Sequence, residues 1–164
     1  MRESDYEYMR LAMEQARIAA SMGEVPIGAV VVYEPIDPAT RRSLAKPCLI
    51  AAACNRRETD NDPAGHAEFL AMKAASDHLG VWRLTGCTVY VTLEPCIMCA
   101  GLMHQSRIAR CVFGAPDPKA GAVGTLYQVN ADERLNHTFE VTPGVLADEC
   151  SALLRDFFAN KRKK

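Results

Sequence analysis

Apolar residues recur at two spacings along this chain, and the switches between them lay out its elements. Ahead of the first stripe, Ser4-Asp5-Tyr6-Glu7 places a carboxylate three residues after a hydroxyl, the capping-box spacing, so a helix is expected to begin near residue 5. Met9, Met13, Ala16 and Ala20 then follow at helical intervals as a core-packing stripe, and Gly23 ends the helix. After Pro26 the pattern changes: residues 27–33 are nearly continuous in apolar and β-branched side chains, as in a strand covered on both faces. Residues 34–47 break the run with three prolines and with Arg41-Arg42, and read as a long exposed loop whose arginines keep it soluble. A second strand is expected over 48–54.

The polar, turn-rich stretch 55–63 leads into helical spacing over 63–79, with Ala67, Leu70, Ala71, Ala74 and Ala75 on the buried side. Clean alternation over 88–93 predicts a third strand, closed by Glu94-Pro95, after which Pro95 opens another helix. A fourth strand is expected over 108–114, then an irregular loop at 115–121 rich in proline and glycine, a type that commonly carries function at strand ends. A short strand over 138–141 and a helix capped by Thr142-Pro143, carrying Val145, Leu146, Leu153, Leu154, Phe157 and Phe158 to near Asn160, complete the chain. With no repeat and no linker, the pattern predicts one α/β domain over 1–164, with about five strands and helices on its faces.

Composition narrows the setting. A formal net charge of −1 excludes a polycation, and the four basic residues 161–164 read as a solvated tail. No apolar run reaches the roughly 18 residues that a membrane span needs, and the acidic start Met1-Arg2-Glu3-Ser4-Asp5 is unlike a targeting peptide, so a cytoplasmic protein is expected. Seven cysteines, an odd number, fit a reducing compartment better than a disulfide framework.

Two of those thiols change the picture further. His66-Ala67-Glu68 and Pro95-Cys96-Ile97-Met98-Cys99 offer one imidazole and two thiolates, three ligands of a tetrahedral zinc site. Cys48, Cys54, Cys87, Cys111 and Cys150 form no second close pair, which leaves the fourth position to water. His66 and Glu68 fall in the first turn of one predicted helix and the thiols in the first turn of another. Two residues apart on a helix point roughly 200° away from each other, so His66 and Glu68 can share a site only off the helix N-terminus. There Glu68 is placed to move protons rather than bind metal. His78 and His104 read as surface or packed histidines, Cys87 and Cys111 as small hydrophobes, and Glu94 as a hydrogen-bonding partner that orients the ligand loop.

His-x-Glu followed by Pro-Cys-x-x-Cys is a signature of zinc nucleobase deaminases. With it stand 24–31, Asn55-Arg56, Asp62-Pro63, 91–101, Ser106-Arg107-Ile108, Phe113-Gly114-Ala115 and 144–150, and on these the chain closely resembles the bacterial tRNA adenosine deaminases of the cytidine deaminase superfamily. The resemblance implies a three-layer α/β/α fold and hydrolytic conversion of adenosine to inosine at wobble position 34 of a tRNA anticodon. It also implies one zinc per chain on His66, Cys96 and Cys99, Glu68 as the proton shuttle, and a homodimer with each site near the interface. Asn55 would bond the target nucleotide, Asp117 and Lys119 would meet the anticodon backbone, Asn136 would line the pocket, and Phe157 or Phe158 would flank it. The chain departs from the pattern at 34–47, where a tight hairpin is usual, and at Gly65, His104, Gln105, Pro116 and Pro118. Two rivals stand beside this reading: a free-base or nucleoside deaminase of the same superfamily, and a non-catalytic zinc-stabilised RNA-binding module. Ser106-Arg107-Ile108 argues against the first. Glu68 argues against the second, because a structural site has no need of a non-ligand carboxylate.

Overall fold

The computed structural model describes residues 1–37, 39–40 and 42–162. Nine elements follow in order: α1 (Glu3–Ser21), β1 (Gly28–Tyr33), β2 (Cys48–Cys54), α2 (Ala67–Leu79), β3 (Cys87–Leu93), α3 (Ile97–Gln105), β4 (Arg110–Ala115), β5 (Glu140–Thr142) and α4 (Ala147–Lys161). The strands form one mixed sheet in the order β2-β1-β3-β4-β5. β1 runs antiparallel to β2 and β3, whereas β3, β4 and β5 are parallel.

The three central strands, β1, β3 and β4, feed two cores because their side chains alternate between faces. Val31, Val89 and Val91 point into a core closed by Ala67, Ala71, Met72 and Ala75 of α2 and by Ala100 and Met103 of α3. Val30, Val32, Tyr90 and Val112 point the other way, against Met9, Ala12 and Met13 of α1 and Cys150 of α4. The result is the expected three-layer α/β/α architecture with a five-stranded sheet. Alternation on β3 therefore does not mark a wet face: Tyr90 and Thr92 are as buried as Val89 and Val91. No helix among the described residues is long and apolar enough to cross a membrane.

Several boundaries move, each for a local reason. α1 starts two residues earlier than expected, because Asp5 rather than Glu7 closes its first turn by accepting the Arg2 N–H at 2.6 Å. Its buried face is Met9, Ala12, Met13, Ala16 and Ala19, and Ala20 is exposed. Ala16 already packs on Gly28, where a Cβ would collide with the Ala12 and Ala16 backbone, so Ala20 lies one turn past the sheet. α2 begins at Ala67 because Asp62 gathers the preceding residues into a turn, its side chain accepting the Ala64 N–H and its carbonyl the Gly65 N–H. On α2, Met72 is buried, Ala74 is exposed and Leu70 is half-buried. β4 starts at Arg110 and not at 108, since Ile108 donates its N–H to Met103 after a left-handed Arg107. β5 starts at Glu140, because Phe139 donates its N–H to Asn130. α4 begins at Ala147, since Val145 is buried with its N–H on the Phe113 carbonyl and Leu146 takes a left-handed turn.

The loop between β1 and β2 has structure of its own. Ile36 pairs antiparallel with Ser43, and Asp37 accepts the N–H groups of Ala39 and Thr40. The expectations for Arg41 and for Lys163-Lys164 of the tail fall outside the described residues.

A buried ion pair ties α1 to the sheet, and no local pattern signalled it. Arg110 grips Asp5 with two bonds of 2.8 and 2.9 Å, Tyr90 donates its hydroxyl to the same carboxylate at 3.1 Å, and Arg110 also donates to Thr142. Burial pushes the Asp5 carboxyl up, but the Arg110 guanidinium, the Arg2 N–H and the Tyr90 hydroxyl together hold it below the usual range.

Candidate active site

Two helix N-termini meet at one end of the sheet. His66 is the extended residue just before α2 and Cys96 the extended residue just before α3, so neither side chain is committed to a helix face. His66 thus stands one step outside the helix rather than in its first turn. That placement removes the conflict of direction with Glu68, and both line a single cavity of about 240 Å³. Gly65 supports the turn: a Cβ there would stand 3.0 Å from the Arg57 backbone and 3.1 Å from the Asp62 carbonyl, so that backbone would have to give way.

His66 Nδ1 lies 3.6 Å from Cys96 Sγ and 3.7 Å from Cys99 Sγ, and the three donor atoms all lie within 4.8 Å of one another. This group could hold a metal ion. Among the described residues no fourth His, Cys, Asp or Glu joins it. The Cys99 thiol donating to Cys96, with help from His66, holds the Cys96 thiol down at about 4. The same hydrogen bond, added to burial, pushes Cys99 up. Glu68 is 4% exposed, and burial pushes its carboxyl above the usual range against the opposing pull of its own N–H and of His66. A buried carboxyl facing the cavity beside the donor trio is placed to take and return protons there.

Asn55, at the end of β2, lines the cavity and is fixed by its Nδ2, which donates to Glu24 Oε2 at 3.2 Å and to the Val25 carbonyl at 3.3 Å. Asp117 lines the opposite stretch, in the loop after β4. Its carboxylate accepts the N–H groups of Lys119 and Ala120, while its own N–H donates to Glu94. Glu94 is buried and also accepts the N–H groups of Val123 and Thr125 and the Thr125 hydroxyl, so it organises the whole loop. These bonds hold its carboxyl below the usual range in spite of burial. Lys119 is exposed beside the cavity and does not line it.

The remaining residues named from the sequence lie elsewhere in the chain. Asn136 lines a separate cavity with His137 and Thr138, before β5 and therefore at the opposite end of the sheet. Phe157 lines a groove between α4 and the end of α1, and Phe158 is 44% exposed with its ring edge-on to Phe157 at 5.4 Å. His78 is exposed and His104 buried. Sequence reasoning passed over Arg57 and Glu24. Arg56 of the motif pairs outward with Asp60, and Arg57 is the arginine that lines the cavity. Glu24, 1% exposed, positions Asn55; a charged residue just before a run of apolar ones was the available signal.

A family model described as MafB19-like deaminase matches residues 3–162. The chain belongs to that deaminase family. The tRNA-specific adenosine deaminase of Bacillus subtilis (strain 168) is 47% identical over 160 residues, covering 98% of this chain and 92% of the relative. A solved structure from studies of A-to-I editing by tRNA:A34 deaminases at the wobble position of transfer RNA superposes with a TM-score of 0.78. It is 38% identical and covers 90% of this chain and 99% of that one. The guanine deaminase from Nitrosomonas europaea superposes at a TM-score of 0.72 with 26% identity, covering 94% of this chain and 84% of that one. The deaminase fold is thus common to enzymes of RNA and of free bases, while identity favours the RNA side.

Proposed function

We propose that this deaminase hydrolyses adenosine to inosine at position 34 of a tRNA anticodon, with one zinc ion per chain. The observation that carries the reading is the convergence of His66, Cys96 and Cys99 beside the buried Glu68 in one cavity. Identity to a tRNA-specific adenosine deaminase over nearly the full length supports the substrate.

The donor set suits zinc. Bonds of about 2.1 Å to nitrogen and 2.3 Å to sulfur at the tetrahedral angle put the two atoms about 3.6 Å apart, and His66 Nδ1 stands 3.6 and 3.7 Å from the two sulfurs. When bound, zinc there supplies a Lewis acid that brings the pKa of water toward about 7. Glu68, as the carboxylate, takes one proton from the attacking water and passes it to the ring nitrogen beside C6; it then takes the proton of the new C6 hydroxyl and gives it to the departing amine, so that water and adenosine become inosine and ammonia. Asn55 holds the nucleoside through its carbonyl oxygen, since Nδ2 is engaged by Glu24 and Val25. Asp117 and Lys119 border the entrance and meet the anticodon backbone, with Asn136, Phe157 and Phe158 as further RNA contacts.

The enzyme works in the cytoplasm as a homodimer. An apolar depression of about 260 Å³ between α2 and α3, bordered by Phe69, Leu102 and a Trp82 that is 56% exposed, supports a second copy there. Incubating the purified protein with an adenosine-34 anticodon stem-loop, beside free adenosine, guanine and cytidine, tests the substrate. Inosine in the RNA is expected, with about one zinc per chain by metal analysis. Xanthine from guanine with the RNA untouched would establish the second reading, a free-base deaminase, which the likeness to the Nitrosomonas europaea enzyme favours.

A further inference from the structure

A cavity of about 660 Å³ opens at the end of the sheet opposite His66, where Gly86, Ala109 and Thr138 lead toward β3, β4 and β5. At about 3.3 Å per residue, the seven residues of β3 separate the two ends by roughly 20 Å. Two guanidiniums line it: Arg83 from the turn after α2 and Arg107 from the turn after α3. Thr85, Asn136, His137 and Thr138 add hydroxyl, amide and imidazole groups, and none of its lining residues is acidic. Among the described residues neither guanidinium has a carboxylate within 4 Å.

The arginines are also held in place. Arg83 lies over the Trp82 ring at 4.3 Å, and Arg107 donates Nη1 to the His104 carbonyl at 2.7 Å. Arg107 does so at a backbone φ of 62°, a left-handed conformation that an arginine rarely adopts. Burial first, then the charges of Arg107 and His137, push the buried His104 imidazole toward its neutral form, against a bond with Asn136. A pair of guanidiniums without a carboxylate partner, ringed by neutral donors, is the chemistry that recognises a phosphate oxyanion. The volume lies within the range of small-ligand sites.

We propose that this cavity is a second, phosphate-binding site, remote from the reaction centre. Ile36 in its wall comes from the 34–47 segment, the part of the chain that departs from the pattern it resembles. Binding of a phosphate group is thus assigned to a place the deamination chemistry does not use. The phosphate belongs either to the RNA backbone beyond the anticodon loop or to a free nucleotide; the two sources share one chemistry and are separated by experiment.

Amide and imidazole resonances of Gly86, His137 and Thr138 in the zinc-loaded protein, followed during titrations at constant ionic strength, provide the test. Inorganic phosphate and AMP should shift them saturably if the source is free. A full-length tRNA should shift them where a short anticodon stem-loop does not, if the source is the RNA backbone. In that case Arg83→Gln should weaken tRNA binding several-fold and make its logarithmic salt dependence shallower by about one. Sodium chloride is the control. No shift of these resonances with phosphate, AMP or tRNA, or shifts equal to those from chloride, would overturn the site. The titrations use the unaltered protein, so they decide the matter even if the Arg83 variant folds poorly.

Discussion

Asp5 and Glu68 are both buried carboxylates in the first turn of a helix, 0% and 4% exposed, yet their acidities move in opposite directions. The helix N-terminus cannot account for the difference, because both enjoy it. Partners do. Asp5 receives two guanidinium bonds, a tyrosine hydroxyl and a backbone N–H, so its charged form is favoured in spite of burial. Glu68 faces the cavity beside two sulfurs, and among the described residues no guanidinium or ammonium is bonded to it, so desolvation outweighs the pull of its own N–H and of His66 and raises its pKa. Glu94 belongs with Asp5: it is equally buried, but saturated by three backbone N–H groups and a hydroxyl. A buried carboxylate bonded by a guanidinium or by several N–H groups fastens structure, and one that faces a cavity beside metal donors is placed to carry protons.

Removing each carboxylate in turn puts the contrast between them at risk. Glu68→Gln should lose deamination by about 10²- to 10⁴-fold while keeping the fold and the metal content, measured by inosine formation and metal analysis. Retained activity would show that the proton moves through another group. Asp5→Ala should leave activity per folded molecule nearly unchanged but lower stability by about 3 kcal/mol in urea unfolding, because it takes the buried carboxylate from Arg110 and leaves only the exposed Glu140 and the Thr142 hydroxyl as partners. The double variant Asp5→Leu with Arg110→Met should recover most of that loss; no recovery would mean that the pair contributes more than its own burial cost. Glu94→Gln should cost about 1–3 kcal/mol and loosen residues 117–125, raising KM for RNA more than it lowers kcat. The smallest effect is in pH dependence. Because the folded pKa of Asp5 lies below the unfolded value, its stabilisation is complete above about pH 4 and is lost as pH falls through the lower folded pKa. Acid unfolding of Asp5→Asn should therefore be flatter than that of the unaltered protein below about pH 4, as followed by circular dichroism.

Legibility in the sequence followed distance along the chain. β2 was expected over 48–54 and spans Cys48–Cys54, because runs and their bounding turns are local. The trio His66, Cys96 and Cys99 was legible for the same reason: each half is a compact motif ahead of a helix. The start of α4 was not, since it depends on a bond from Val145 to Phe113 across the fold. The Asp5–Arg110 pair spans 105 residues, and nothing near either residue announces the other. The resemblance groups Asn136, Phe157 and Phe158 with Asn55 and Asp117, yet Asn136 lines a different cavity, Phe157 a different groove, and Phe158 is exposed beside Phe157.

What the amino-acid order determined on its own was the set of elements, the deaminase signature and the donor atoms for a metal, because spacing within a turn or strand is enforced by backbone geometry. What only the tertiary structure decided was which state each charged group takes. His66 became a residue outside its helix, Glu68 a buried carboxyl raised by desolvation, Glu94 and Asp5 fasteners, and Arg107 a strained wall of a second cavity. The physical reason is that protonation and orientation depend on desolvation and on partners drawn from distant segments, and those are set only when the layers close.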